Sequence, residues 1–278
     1  MERALAPKAT TVASATDAST AGKTTGGARK AIICDFGRLI LRPGPTPQTQ
    51  IMKQKASSRR LFIEARKYFS GAPIADKRRV GLELLKRAAS LGHIEAHVWL
   101  GAAYDYGIGV HSNRHRALAH YKTAAKAGNA NAEYHVGVFY HDGIATRKNY
   151  TLAVRWLQKA TRHGDPEATH LLGQCYRYGR GLRKNPQKGF ELELKAARRG
   201  VLEAQFSVGF CFSRGAGVQA DLKKAFKWYL IAARRGHDDA AYNVGYFYEQ
   251  GRGIKASKRK ANSWYRRAEF LKQKRPIG

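Results

Sequence analysis

The chain has 278 residues, 43% of them hydrophobic, and a net charge of +31 from 51 Lys+Arg against 20 Asp+Glu. That much charge repels itself in isolation and points to a polyanionic partner, while the apolar share suffices for a packed core. Three cysteines (Cys34, Cys175, Cys211) are too few for a disulfide framework and fit a reducing compartment; no stretch approaches the roughly 20 apolar residues of a membrane span, and residues 1–28 lack the apolar core of a secretory signal.

Residues 1–56 are rich in Ala, Thr, Ser, Gly, Pro and Lys and show no helical period. Such a segment buries too little apolar surface to order itself. Being basic and acid-poor, it reads as an organellar targeting segment or as a basic arm that orders on a partner. The apolar island from Ile32-Ile33 to Leu39-Ile40-Leu41 is a candidate docking segment, and Pro43-Gly44-Pro45-Thr46-Pro47 a stiff linker. Gly22-Lys23-Thr24 looks like the end of a phosphate-binding loop, but Asp17 stands where that loop needs its first glycine, so no nucleotide site is expected.

From residue 57 the chain is periodic. Gly101, Gly137, Gly173, Gly209 and Gly245 are spaced by 36 residues without slippage. Gly107, Gly143, Gly179, Gly215 and Gly251 follow the same period, and so do Gly92, Gly128, Gly164, Gly200 and Gly236. A period of this length marks a stacked array. Residues 57–92 form a degenerate first unit that lacks the Asn/Asp cap, as terminal units often do.

The unit from Glu95 to Gly128 shows the internal logic. Apolar residues at helical spacing predict helix A over 95–106, and Gly107-Ile108-Gly109 stops it. Asn113 opens helix B, which runs to about Ala127. The equivalents Asn149, Asn185, Asp221 and Ser257 are all preferred N-cap residues, and Pro186 falls at the first helical position. Small residues recur at Ala117, Ala153, Gly189, Ala225 and Ala261, and with the mid-helix glycines they predict close approach of A and B. A glycine there costs about 1 kcal/mol against alanine, which tight packing must offset. Tyr104, Tyr140, Tyr176, Phe212 and Tyr248 in A, and Trp156, Trp228 and Trp264 in B, read as core. Cys175 and Cys211 are one period apart and read as buried free thiols. The prediction is an all-α solenoid of about six 36-residue helix-turn-helix units over 57–270, with a basic C-terminal tail at 271–278.

These motifs resemble the Sel-one-like repeat, a relative of the tetratricopeptide repeat. The fullest match is Ala204, Val208-Gly209, Phe212, Gly215-Ala216-Gly217-Val218, Asp221, Lys224-Ala225, Trp228-Tyr229, Ala232-Ala233 and Gly236-His237. The resemblance implies an α-solenoid that acts as an adaptor in multiprotein complexes, without inherent chemistry, and it leaves the N-terminal tail uncovered.

The departures from the pattern are cationic. Each unit places cations in its A–B loop or in the first turn of B: Lys77, Arg78 and Arg79; Arg114 and Arg116; Arg147 and Lys148; Arg183, Lys184 and Lys188; Lys223 and Lys224; Lys258, Arg259 and Lys260. A fixed period aligns them into a basic ridge along one edge. Cations at a helix N-terminus are mildly unfavourable, so their recurrence points to a partner rather than to a plain solvated face. Lys195, Arg198, Arg199, Arg234, Arg235, Arg266 and Arg267 form a second cluster in the last turns of B, where the dipole already favours them.

No catalytic constellation or cofactor is expected. His93/His97 and His111/His115 have helical spacing but no converging ligands for a metal. Glu191/Glu193 and Asp238/Asp239 do not share a helical face, and the serines lack a nucleophile-elbow context. The functional expectation is a scaffold of a ribonucleoprotein, foremost a mitochondrial ribosome or its assembly particle. It contacts rRNA phosphates through the ridge and proteins through the helix-A groove, with no membrane and no small-molecule substrate. The alternative is a pure protein–protein adaptor for acidic partners, in the cytoplasm or nucleus.

Overall fold

The computed structural model describes residues 31–33, 39–41, 46–70 and 75–274. The chain divides into two units, residues 1–52 and 53–278. In the first, β1 (Ala31–Ile33) and β2 (Leu39–Leu41) pair antiparallel with Ile32 opposite Ile40, so the apolar island is a short β-ribbon. The remainder of the tail, including Cys34 and Gly22-Lys23-Thr24, lies outside the described residues.

Twelve helices follow among the described residues. The A helices are α1 (Pro47–Lys67), α3 (Ile94–Tyr106), α5 (Ala130–Asp142), α7 (Pro166–Tyr178), α9 (Leu202–Arg214) and α11 (Asp238–Gln250). The B helices are α2 (Ala75–Ser90), α4 (Arg114–Lys126), α6 (Tyr150–Arg162), α8 (Pro186–Arg198), α10 (Leu222–Arg234) and α12 (Lys258–Gln273). Two expected boundaries move. Residues 47–56, assigned to the tail from sequence, are the start of α1: Pro47 sits where a missing N–H costs nothing, and Thr46 Oγ1 accepts from Thr49 N. The solenoid also runs past 270, because Lys272 stands where the preceding B helices meet their turn glycine, and α12 continues to Gln273.

The predicted signals operate as expected at each helix end. Asn113, Asn149, Asn185, Asp221 and Ser257 each accept from the backbone N–H three residues on. Gly107, Gly143, Gly179, Gly215 and Gly251 end the A helices in the left-handed conformation. The mid-helix glycines are contact points: a Cβ on Gly209 would sit 2.8 Å from the Tyr229 ring, and one on Gly173 would sit 2.9 Å from the Gly189 carbonyl oxygen. Helix A carries caps of its own that the sequence reading missed, at His93, Asn129, Asp165 and His237.

Successive units are joined mainly by alanine and small apolar surface. On each A helix from α3 on, one row packs against the preceding unit: Ala96, Leu100 and Ala103 in α3, and Ala132, Val136 and Phe139 in α5, all at most 2% exposed. The tryptophans of B are half-buried at the edges of this core rather than inside it.

Candidate functional site

The A–B loops abut one another for a backbone reason. The second loop glycine of a unit sits on the first turn of helix B of the unit before: Gly181 against Tyr150 and Thr151, Gly217 against Pro186 and Gln187, and Gly253 against Leu222 and Lys223. There is no room for a Cβ at these joints, and all three glycines have positive φ. Ala145 occupies the same position in its own unit and is the one non-glycine among the described residues with positive φ, at 53°. The sequence ridge is therefore a contiguous row in space, since each loop touches the helix start that carries its neighbour's cations.

Every residue expected in the ridge lies on the solvent side of this row. Lys77, Arg79, Arg114, Arg116, Arg147, Lys148, Arg183, Lys184, Lys188, Lys223, Lys224, Lys258, Arg259 and Lys260 are exposed. Arg78 is half-buried, held against Gly109 of the next unit. One subset also has a partner inside its own unit. Arg116, Lys188, Lys224 and Lys260 occupy the same register and fold back over the rings of Tyr104, Tyr176, Phe212 and Tyr248, at 5.6, 4.5, 5.5 and 5.3 Å. This recurring cation–π contact compensates their unfavourable place at a helix N-terminus, a role the sequence argument had credited wholly to a partner. The second basic cluster is also partly structural: Arg199 and Arg235 donate to the carbonyls of Gly164 and Gly200, each in the turn of the preceding unit.

Charge is divided by helix type. The A helices α3, α5 and α11 carry no Lys or Arg; Arg177 and Arg214 are the only two in the five A helices from α3 to α11. Acids recur there, with Glu95, Glu167, Glu203 and Asp239 in one register. The B helices reverse this: α4, α6 and α10 contain no acid. From α3 to α11 the A helices are thus acidic or neutral and most B helices cationic, whereas α1, with six cations against Glu64, departs from its class.

One buried polar cluster interrupts the core. Glu193 takes the position held by Tyr121, Leu157, Tyr229 and Tyr265 in other units, and is fully buried. Arg177, 7% exposed, approaches it at 3.1 Å and donates to Cys211 Sγ at 3.3 Å, while the thiol donates to Glu193 Oε2 at 3.4 Å. Gly189, where most units have Ala, leaves room for the Arg177 backbone. Burial pushes the Cys211 thiol up to about 12 and Cys175 to about 11, the reverse of an activated nucleophile.

Most of the histidines are engaged in structure. His93 caps α3 and stacks on Phe62 at 4.3 Å; His97 Nδ1 lies 3.1 Å from His120 Nδ1. His237, Asp238 and Asp239 bring ligand atoms within 4.8 Å of one another, but His237 Nδ1 accepts from Ala240 N and Nε2 contacts Glu203 at 3.1 Å, so a metal would have to displace a helix cap. His111 and His115 are exposed. No helix among the described residues is long and apolar enough to cross a membrane.

The Sel1 repeat model matches six times, at residues 64–93, 94–129, 130–165, 166–201, 202–237 and 238–269. Among solved structures, a Sel1 repeat protein from Oxalobacter formigenes is 28% identical, with a TM-score of 0.72 over 84% of this chain and 89% of that one. The protective antigen c5321 of uropathogenic Escherichia coli, described as displaying an SLR fold, is 24% identical with a TM-score of 0.69, over 80% of this chain and 48% of that one. The immunity protein PA5088 of Pseudomonas aeruginosa shares the fold alone, at 20% identity and a TM-score of 0.54 over 84% and 85% of the two chains. No curated protein matches the chain.

Proposed function

From the premise that the chain belongs to the Sel1 repeat family, whose members are generally non-enzymatic scaffolds suited to protein–protein interaction, we propose a scaffold with two electrostatically opposite sides that joins RNA to protein. The division of charge between A and B helices carries this reading. The exposed loop cations Lys77, Arg147, Arg183, Lys184, Lys223, Lys258 and Arg259 are offered to phosphates, giving affinity without base reading. The A side, lined by Glu95, Glu167 and Asp239, suits a partner with cationic surface and repels an acidic peptide, so the acidic-partner alternative fits the B side only. Within this proposal rRNA is the leading ligand, and a mitochondrial ribosome or its assembly particle the leading place of action.

A salt titration of RNA binding tests it. Each neutralised phosphate adds about 0.7–0.9 to the slope of log affinity against log salt. Reversing Lys184, Lys223 and Lys258 to Glu should lower the slope by about two to three and leave the helical spectrum unchanged. A slope near zero, or one that the triple variant does not alter, refutes the RNA half of the proposal. Co-sedimentation of the native protein with ribosomal subunits tests the particle.

A further inference from the structure

The two ends of the solenoid carry opposite charge on the faces that would otherwise stack against a further unit. The row that packs each A helix on the preceding unit (Ala96, Leu100 and Ala103 in α3) is Arg60, Glu64 and Lys67 in α1, all exposed. Around them Arg59 and Lys77 complete the rim of a cleft of about 780 Å³ floored by Ile63 and Tyr68. Four cations face one carboxylate there.

At the other end the substitution runs the opposite way. Ala125, Ala197 and Ala233 pack each unit on the next; the equivalent in α12 is Glu269, exposed. Phe206 stacks at 4.5 Å on His237, the first residue of the following unit, as Phe62 does on His93; the equivalent Tyr242 is 58% exposed. Exposed Asp239, Glu249 and Glu269 line a cleft of about 540 Å³ walled by Tyr242 and Tyr265, with Lys272 the one cation in its lining and Asp238 buried against His237. Three exposed carboxylates face one cation.

We propose that these two faces bind each other, so that copies of this chain associate head to tail, α1 of one against α11 and α12 of the next. Both faces already lie in the register through which units stack inside one chain, and one is predominantly cationic where the other is predominantly anionic. Such a contact is heterologous: it leaves a free head and a free tail and extends with concentration. Exposed ion pairs and overall repulsion between +31 chains keep it weak and salt-sensitive.

The test uses sedimentation of the nuclease-treated full chain over a concentration series at low and high salt. The wild type should self-associate at low salt. Arg60→Ser with Lys67→Ser should weaken association about tenfold, as should Asp239→Asn with Glu269→Gln, since each removes exposed pairs from one face. Mixing the two variants is the decisive arm. One keeps its tail and the other its head, so at concentrations where each variant alone is monomeric the mixture should form dimers and nothing longer. Wild type that remains monomeric at low salt overturns the proposal, as does association untouched by the variants or a mixture without dimers. Circular dichroism of each variant, expected to match the wild type, excludes loss of fold as the cause.

Discussion

Replacing Glu193 by Leu, the residue at the equivalent position 157, should be among the most damaging single changes in the solenoid. The substitution leaves the Arg177 guanidinium, 7% exposed, without its 3.1 Å partner. Removing one member of a buried ion pair costs about 3–5 kcal/mol, because the remaining charge is stranded. For an array of this size that corresponds to a fall in melting temperature of about 6–20 °C. Arg177→Ser, using the residue at the equivalent position 213, strands a carboxylate instead. Burial already raises the affinity of Glu193 for a proton, opposed by Arg177, so the stranded acid can neutralise itself. The cost of Arg177→Ser should therefore shrink as pH is lowered from 8 to 5, while that of Glu193→Leu, with an arginine left behind, should not. The double variant should recover the part of the loss that comes from a stranded charge, since neither charge remains, and keep the part that comes from the volume Ser leaves unfilled. Thermal melts followed by circular dichroism measure all four proteins. A double variant as unstable as Glu193→Leu alone, or a single-variant cost below about 1 kcal/mol, would refute the reasoning.

Three further outcomes follow from the geometry. Ala145→Gly should stabilise by about 1 kcal/mol, since it relieves a positive φ, whereas Gly181→Ala, which would drive a methyl into the Tyr150 carbonyl, should destabilise by more; denaturant melts of the pair give both signs. Gly173→Ala should cost more than Gly209→Ala, because its new Cβ meets the Gly189 backbone and the Glu193 chain, while the Gly209 contact is a ring able to shift; equal melting temperatures would contradict this. Burial holds His120, His135 and His170 down at about 4, so the unfolded chain binds protons more readily than the folded one between pH 6.5 and about 4. Their contribution is complete above pH 6.5 and is lost as pH falls through that window, and His135→Phe should flatten the decline in melting temperature.

Helix boundaries, caps and close helix contacts were legible in the sequence because each rests on a local rule repeated at a fixed spacing. Asn113 caps α4 and Gly107 ends α3 for reasons contained within a few residues. What escaped were the helix-A caps and the direction in which side chains point. The fold-back of Lys188, Lys224 and Lys260 onto rings twelve residues earlier gives one cation of each of their basic turns an intramolecular partner, and sequence spacing alone does not aim a side chain. The opposition of acidic A helices to basic B helices was readable in principle, but the glycine lattice and the cation runs drew attention to the loops. The tail was read as structureless up to residue 56 because it is rich in Ala, Thr, Ser, Gly, Pro and Lys without a helical period; α1 begins inside it and lays Ser58, Phe62 and Ala65, all beyond residue 56, on the array.

At Gly181 and Gly217 the loop glycine meets only backbone of the preceding helix start. Lys184 and Lys223 point their side chains to solvent, so residues compatible with the local backbone in their place should leave the stacking of units unchanged. Stacking and surface chemistry are thus separable traits in this chain: natural variation or an engineer can rewrite what the ridge recognises one unit at a time, in steps of 36 residues, and keep the same stack of units.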